Sequence, residues 1–431
     1  MRPADYERFE RTAQWMEEQA GKWGLSPFPM RYEICPADVV YSIAGFGMPT
    51  RFVHWSFGKH YHRQKIGFDY GMSRIYELVV NSDPCYAFFL DSNTILQNEM
   101  IVAHVLGHSD FFRNNGRFRH SNRQMVETMA ATAERFESYE QRYGVNRVEA
   151  LLDSVLAIAE HVDPSFYYLS EQGGAKIGPR QVDANSLVNL SVDLSQDLLL
   201  FLMAKAKGLE DWERDVIASV REEMLYFWPQ IETKIMNEGW ATYWHTKFMQ
   251  TMDLSGEDAI EFAKMTAQVT QPNRFQLNPY NVGLAIWEDI ERRYGKEEMF
   301  IVRESDSDSG FLRNYLTQEI VDRCDLYLYE QQHSEWVVVE KDVKVISQVL
   351  LNERVHGGFP VLRVNADQTR AKGTLELMHL YEGVELDEKY IQKTLPHVAR
   401  LWGDAVSLET TVNKKKVKYV FEGGKTKTVA S

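Results

Sequence analysis

Two short segments, far apart in the sequence, carry side chains that could hold a divalent metal ion. The first is His104-Val-Leu-Gly-His108, and the second is Glu238-Gly-Trp-Ala-Thr-Tyr-Trp-His245. Residues four apart on a helix point the same way, so the two histidines can present their imidazoles to one ion. Together the segments predict a metal site built on two helices.

The histidine spacing is that of the HExxH motif of zinc peptidases. In that motif the glutamate after the first histidine acts as the general base, but Val105 stands there in this sequence. The phrase Glu-Gly-Trp-Ala-x-Tyr resembles the third-ligand helix of one large zincin group. The resemblance implies Glu238 as the third ligand of Zn²⁺ or another divalent metal, in a zincin-like helical core.

A second zincin-like feature is Asn278-Pro-Tyr-Asn-Val-Gly283, which opens a predicted helix. Related zincins place a Tyr-x-x-Gly near the metal, where the tyrosine donates a hydrogen bond to the oxyanion. The resemblance implies that role for Tyr280.

The missing glutamate raises the question of which residue moves protons. His245 follows Glu238 by seven residues, about two helical turns, and therefore faces the same side of its helix. We expect it to be a proton shuttle or a partner of a ligand. The other candidates for the base were Asp110, which points elsewhere on the first helix, His120 and Glu127.

A structural interpretation competes with the metal site. Histidines four apart on an apolar helix are often core residues bonded to backbone or carboxylate groups. A buried Glu238 needs a partner to offset its desolvation, and either a metal or the histidine pair would serve. The aromatic residues around the motifs are also typical of core packing.

Composition limits the classes of function. The chain has 431 residues, is 44% hydrophobic and carries a formal net charge of -14, which argues against nucleic acid or an anionic membrane as its main partner. It contains no stretch approaching eighteen apolar residues and no signal-like N-terminus, so we expect a cytoplasmic protein without membrane insertion. Three widely spaced cysteines, Cys35, Cys85 and Cys324, fit reduced thiols.

The distribution of patterns predicts a mainly α fold with a smaller α+β C-terminal part, in three segments. Residues 1–92 combine a helix at 4–23 with short strands or extended packing segments that include HWSFGKHYHRQK. Residues 93–300 are helical, with helices at 94–113, 122–143, 146–161, 190–206, 210–227, 229–252, 256–269 and 279–294. Residues 301–431 contain strands at 326–329, 336–340, 361–364, 374–380 and 417–421 and a helix near 387–403.

Several connecting segments receive predictions of their own. HWSFGKHYHRQK, with His54, His60 and His62 among basic residues, could bind an anionic ligand, but a solvated turn beside a packed Trp55 is favoured. Residues 171–188 are the predicted mobile loop or lid. RESDSDSG at 303–310 is the predicted solvated linker, and the tail GGKTKTVAS is expected to fray.

Long runs along the chain resemble the stage V sporulation protein R (SpoVR) family. They include KWGLSPFPMRYEICPADVVYSIAGFGMP, NSDPCYAFFLDSN, AHVLGHSDFFRNN, NEGWATYWH and NPYNVGLAIWEDIERRYG. The resemblance implies a link to sporulation and spore cortex formation. It also implies a PrkA-type serine protein kinase and a von Willebrand A-like protein as partners, without naming a reaction.

Two hypotheses follow. In the first, the protein is a zinc-dependent amide hydrolase in which His104, His108 and Glu238 hold the metal and His245 and Tyr280 assist catalysis. In the second, the loss of the glutamate at Val105 leaves a catalytically inactive zincin-like scaffold that acts as an adaptor or regulator with the kinase and its companion.

Overall fold

The computed structural model describes residues 3–69, 77–165 and 193–430, which are mostly helical. The described α-helices are α1 (Pro3–Lys22), α2 (Ala37–Phe46), α3 (Trp55–Asp69), α4 (Ile95–Asn114), α5 (Met125–Tyr143), α6 (Val145–Leu156), α7 (Leu198–Lys205), α8 (Asp211–Glu232), α9 (Lys234–Thr251), α10 (Gly256–Val269), α11 (Pro279–Tyr294), α12 (Lys296–Ser305), α13 (Asp308–Tyr315), α14 (Gln318–Arg323), α15 (Val343–Arg354), α16 (Ala366–Lys372) and α17 (Glu388–Trp402). The predicted loop at 171–188 lies outside the described residues.

The described strands form three small sheets. They are β1 (Met30–Cys35), β2 (Glu77–Val80), β3 (Cys85–Leu90), β4 (Leu328–Gln332), β5 (Glu335–Glu340), β6 (Leu362–Val364), β7 (Leu375–His379), β8 (Val406–Val412), β9 (Lys415–Glu422) and β10 (Lys425–Ala430). The sheet orders are β1-β3-β2, β4-β5 and β10-β9-β8-β7-β6. The prediction of a mainly α chain with strands in its C-terminal part is confirmed, and the short strands expected within residues 1–92 are present as the sheet β1-β3-β2.

The chain divides into two compact units, each built from separate stretches. Unit 1 contains Met1–Arg51, Trp55–Glu127 and Pro229–Gly357, and unit 2 contains Phe52–His54, Thr128–Trp228 and Gly358–Ser431. The three-segment division proposed from the sequence, 1–92, 93–300 and 301–431, stays a prediction.

Unit 1 is organised around α4 and α9. Helix α9 packs against both α4 and α11, and α1, α10 and α12 also contact α4. Helix α4 is buried on almost all sides, which explains why its apolar residues do not form a single stripe. Large aromatic side chains fill the core beside α9, including the fully buried Trp240, Trp244 and Trp287.

Unit 2 contains the five-stranded sheet. Strands β7 and β8 are parallel and are joined through α17, as a parallel pair requires a crossover, whereas the other neighbouring pairs are antiparallel. Helix α17 also packs against α6. None of the described helices in either unit combines the length and apolar composition needed to cross a membrane.

Two N-terminal segments that were predicted as strands or extended packing are helices. Helix α2 begins after Pro36 and ends at Phe46, and it is capped by Gly47, whose φ of 79° suits a glycine. Helix α3 begins at Trp55, and its Lys, Arg and Gln residues are favourable helix formers. The prediction of a solvated turn beside a packed Trp55 is also wrong, because Trp55 is 55% exposed.

Two C-terminal expectations are also corrected. The tail does not fray over residues 425–430, because β10 pairs with β9 through a turn in which Gly423 and Gly424 both have positive φ. The segment 303–310 is not a solvated linker. Arg303 is buried in α12, and Asp308, at the start of α13, is only 1% exposed.

Candidate metal centre

The structure brings His104, His108 and Glu238 together within unit 1. His104 and His108 lie on α4, and Glu238 lies on the adjacent helix α9. The two histidine Nε2 atoms are 3.1 Å apart, and Glu238 Oε2 lies 3.7 Å from His104 Nε2 and 3.4 Å from His108 Nε2. Among the residues described, these three form the only cluster of potential metal ligands of this kind.

These separations suit a tetrahedral zinc ion. Ligand atoms about 2.0–2.1 Å from zinc at tetrahedral angles lie roughly 3.3 Å apart. The three measured separations, 3.1, 3.4 and 3.7 Å, bracket that value. Two neutral imidazoles and one carboxylate are also a donor set that zinc accepts in catalytic sites. The residues present therefore fit a zinc ion.

The charge state of Glu238 suits a ligand. Burial by itself would raise the pKa of its carboxyl group, but the interactions with His104 and His108 outweigh burial and hold that pKa well below its ordinary value. Glu238 Oε2 is buried, and the described residues give it no hydrogen bond of normal geometry, the facing Nε2 atoms of His104 and His108 lying 3.7 and 3.4 Å away. An ionised, under-satisfied oxygen facing two imidazoles is the environment that a cation stabilises.

A second contact fixes the orientation of His108. Its Nδ1 lies 2.9 Å from Asn237 Oδ1, and since an amide oxygen only accepts, Nδ1–H is the donor. The lone pair of His108 is therefore on Nε2, the atom that faces His104 and Glu238. Ligating histidines commonly have such a partner, which sets the tautomer and the ring orientation.

His245 is the corresponding partner of His104. The two Nδ1 atoms are 3.0 Å apart, and His245 is completely buried. Burial, together with repulsion from His104 and His108, lowers the pKa of His245 well below its ordinary value, so the ring is neutral. A neutral His245 can accept the proton on His104 Nδ1, which leaves the lone pair of His104 on Nε2.

Glycine residues allow the helices to approach closely enough to form this cluster. A Cβ atom added to Gly107 would lie 2.7 Å from the Cα atom of Ala241, where α4 crosses α9. On the opposite side of α9, a Cβ atom at Gly239 would lie 2.3 Å from the carbonyl carbon of Gly283 in α11. Close backbone contact at these points sets the distance between the histidine and glutamate helices.

The start of α9 is fixed by Asp308. Its carboxylate accepts hydrogen bonds from the backbone N–H groups of Ile235 and Met236, both at 2.9 Å. This contact explains why α9 begins at Lys234 rather than at residue 229 as predicted; the residues before it belong to α8, which continues to Glu232. Burial raises the pKa of Asp308 to about 7, although the two backbone donors oppose the shift.

Replacing Asp308 by alanine is expected to lower the free energy of unfolding by about 1–2 kcal/mol, because two N–H groups at a helix start lose their acceptor. Asp308→Asn retains an acceptor and should cost less. A carboxyl group with a raised folded pKa stabilises the fold less as the pH rises from about 4 to about 7. Urea titrations across that pH range should show the wild type losing stability relative to Asp308→Asn. A difference in free energy of unfolding that stays constant with pH would contradict the raised pKa of Asp308.

His104 alone among the three cluster residues lines a cavity of about 1190 Å³. His104, His245 and Tyr280 contribute to its lining, and the rings of His104 and Tyr280 are stacked with their centroids 6.0 Å apart. No Asp or Glu is found among the described residues of the lining. Val105 is fully buried in the core. The structure therefore places Tyr280 beside the cluster, and the described part of the lining offers no carboxylate to replace the missing base.

The remaining candidates for the base do not line the cavity. Asp110 is buried and pairs with Arg303 at 2.8 Å, and its Oδ2 also accepts from the indole N–H of Trp240. Glu127 is exposed, and His120 is partly buried. Asp110 therefore links α4 to α9 and α12 structurally.

The sequence patterns missed Asn237, Asp308 and Arg303 as residues that support the site. Asn237 was adjacent to the Glu238 motif, and its amide could have been considered as a partner for a histidine. Arg303 and Asp308 gave no such signal, because they lie in an acidic, polar stretch that resembles a linker and become buried only in the folded chain.

The fold and the three converging side chains define a mainly helical protein with a candidate two-histidine, one-glutamate metal centre. The chain belongs to the SpoVR family. Residues 4–176 and 177–359 match the family described as SpoVR like protein, and residues 360–413 match the SpoVR-like C-terminal domain.

A relative over nearly the whole length is the uncharacterized protein YcgB of Escherichia coli (strain K12). The two sequences are 26% identical over 463 residues, covering 91% of this chain and 90% of the relative. The name of that relative states no activity. No solved structure matches the chain.

Proposed function

We propose that His104, His108 and Glu238 bind a divalent cation, zinc by preference, and that the protein uses it to hydrolyse an amide bond in a ligand held in the adjacent cavity. The observation that carries the proposal is the convergence of three ligand atoms at 3.1 to 3.7 Å from one another. The position of His104 in the lining of a cavity supports a catalytic rather than a purely structural ion.

Each residue around the cluster has a separate role in this proposal. Zinc bound there would polarise a carbonyl group and lower the pKa of water. Asn237 and His245 hold His108 and His104 in the tautomers that direct Nε2 lone pairs to the ion. Tyr280 lines the cavity beside His104, where its hydroxyl would donate a hydrogen bond to a developing oxyanion.

His245 is proposed as the residue that relays a proton. Its low pKa makes it a weak base, and its Nδ1 is occupied by His104. In the tautomer that accepts from His104, Nε2 of His245 carries the ring proton, so a relay would donate that proton from Nε2 while Nδ1 takes up the proton of His104. Nε2 is buried and has no hydrogen-bond partner among the described residues. A slow hydrolase with a weak base, rather than a fast peptidase, is the expected outcome.

The test is hydrolysis of an acetylated peptide library by the zinc-loaded protein, followed by mass spectrometry. Product peptides should form with wild type and be lost in Glu238→Gln, while Glu261→Gln, an exposed position on α10, should behave as wild type. Cleavage that persists in Glu238→Gln would point to a contaminating peptidase. The absence of cleavage from a zinc-loaded wild type would contradict the hydrolase.

The second candidate is a scaffold that binds metal without catalysis. The observation that favours it is the buried Val105 together with a cavity lining whose described residues include no carboxylate. In this case the chain would act as a cytoplasmic adaptor or regulator of a PrkA-type serine protein kinase and a von Willebrand A-like protein, with a link to sporulation. Retention of the kinase by zinc-loaded protein that cleaves no library member would support this candidate.

Replacing Asn237 by alanine is expected to weaken zinc affinity about 10–100-fold, because His108 loses the acceptor that fixes its tautomer. Asn237→Asp keeps an acceptor and should bind zinc at least as tightly as wild type. Competition with a chromogenic chelator measures the zinc affinity of both Asn237 variants. Asn352→Ala, on the exposed side of α15, serves as the control. Equal affinities in wild type and Asn237→Ala would show that the contact does not orient a ligand.

A further inference from the structure

The cavity next to the metal cluster is lined mainly by uncharged groups. Its polar part contains the side-chain amides of Gln268, Gln271 and Gln276, which make no hydrogen bond within the described part of the chain. Its apolar part includes Met100, Ile101, Met265 and Leu277. Amide groups both donate and accept hydrogen bonds, as a peptide backbone does, so this lining matches the alternation of N–H and C=O groups along an extended peptide.

Arg274 is the only permanently charged residue among those described in the cavity lining. Its side chain is 66% exposed, and its Nε lies 3.3 Å from Asp325 Oδ2. Ion pairs this exposed contribute little free energy, so the guanidinium can exchange Asp325 for a carboxylate of a ligand at small cost. A guanidinium also matches the planar geometry of a carboxylate.

An exposed aromatic pair adjoins Arg274. Phe275, which lines the cavity, is 65% exposed, and its ring centroid lies 4.9 Å from that of Trp336, which is 50% exposed. Two large aromatic side chains on the surface beside a polar cavity provide an apolar contact area for a ligand side chain.

The cavity volume sets the size of the ligand. At about 1190 Å³ it exceeds the roughly 300–1,000 Å³ typical of sites for single small molecules. A cavity of this volume, with His104 and Arg274 both in its lining, has room for a ligand of several residues.

From these observations we infer that the cavity binds a short extended peptide that bears a carboxylate, which pairs with Arg274, and an aromatic or large apolar side chain, which packs on Phe275 and Trp336. The amides of Gln268, Gln271 and Gln276 bind the peptide backbone. This inference rests on the proposed function in that it names the substrate class of the same site. Arg274 is its specificity-determining residue.

The test is selection from three acetylated hexapeptide libraries incubated with the full-length protein in the presence of a chelator, so that no metal can bind the carboxylate. One library has free C-termini and no Asp or Glu, the second is amidated and otherwise identical, and the third is amidated with one Glu. Ultrafiltration and mass spectrometry identify retained peptides, whose affinities are then measured by calorimetry.

We expect peptides from the first or the third library to be retained and enriched in Phe, Tyr or Trp, and the amidated neutral library to bind at least about tenfold more weakly. The library that is retained identifies the carboxylate as C-terminal or as a side chain. Arg274→Gln should abolish the difference between libraries, whereas Arg323→Gln, which removes an exposed ion pair with Glu288 on the surface, should not.

Retention of no peptide, equal retention of all three libraries, or an unchanged preference in Arg274→Gln would overturn the inference. Because the selection omits metal, its outcome is independent of the zinc site. A carboxylate preference in a protein that binds no zinc would retain the peptide site and reject the hydrolase. Zinc binding without a carboxylate preference would retain the metal site and reject the peptide site.

Discussion

Replacing Gly283 by alanine is expected to lower the free energy of unfolding by about 2–3 kcal/mol, the range of strongly overpacked cores. A Cβ atom at this position would lie 2.2 Å from the carbonyl oxygen of Ile235 and 2.7 Å from the Cα atom of Gly239. Both neighbours are backbone atoms of α9, so the helices must separate to relieve the contact.

Whether Gly283→Ala raises or lowers the free energy of unfolding shows whether helix packing or helix propensity dominates at this position. Alanine in the interior of a helix is favoured over glycine by about 1 kcal/mol, so propensity alone predicts stabilisation. Gly58 in α3 provides the matched control, because a Cβ atom there meets no atom within 4 Å. Urea denaturation should show Gly58→Ala at least as stable as wild type and Gly283→Ala less stable. A stabilised Gly283→Ala would contradict the close approach of α9 and α11.

Replacing Arg303 by methionine is expected to cost about 3–5 kcal/mol, because Asp110 would remain buried without its counter-charge. Arg303 is 4% exposed and Asp110 is fully buried, and Nη1 of Arg303 contacts both carboxylate oxygens at 2.8 and 3.0 Å. Asp110 also accepts from Trp240 and from the backbone N–H of Ser26, so the pair holds α4, α9 and α12 together.

Two further variants identify the cause of that loss. Arg323→Met removes an exposed ion pair and should change the free energy of unfolding by less than about 1 kcal/mol. The double variant Asp110→Asn with Arg303→Met removes both charges and should recover part of the stability. A double variant as unstable as the sum of the two single variants would show that lost packing, rather than an unpaired charge, is responsible.

The sequence predicted the parts of the fold and the site that depend on local spacing. His104 and His108 could be identified because four-residue spacing on a helix places them on one face, and Glu238 because its motif resembles a known ligand helix. Helices α4 and α11 were predicted with nearly the observed ends, since each begins at a clear capping residue. Helix α9 begins five residues later than predicted, and its first residue is preceded by Thr233, whose side chain makes no capping bond.

The parts that failed depend on contacts between distant residues. Asp308 looks like a linker residue until its carboxylate is seen to cap α9, about seventy residues earlier in the chain. The aromatic residues of HWSFGKHYHRQK led to the prediction of a strand or extended segment. The segment contains no β-branched residue that would favour a strand, and it is helical. The tail forms β10 because β9 offers a partner and two glycines make the turn.

The metal ligands themselves are tested most directly by the metal content of the purified protein. Inductively coupled plasma mass spectrometry would compare wild type with His104→Ala, Glu238→Ala and the control His62→Ala, which alters an exposed histidine of α3. Circular dichroism would establish that each variant is folded. We expect about one zinc or similar divalent ion per chain in wild type and in His62→Ala, and its loss in the two site variants. A wild type that takes up no metal after supplementation, or site variants that keep it, would contradict the proposed metal centre.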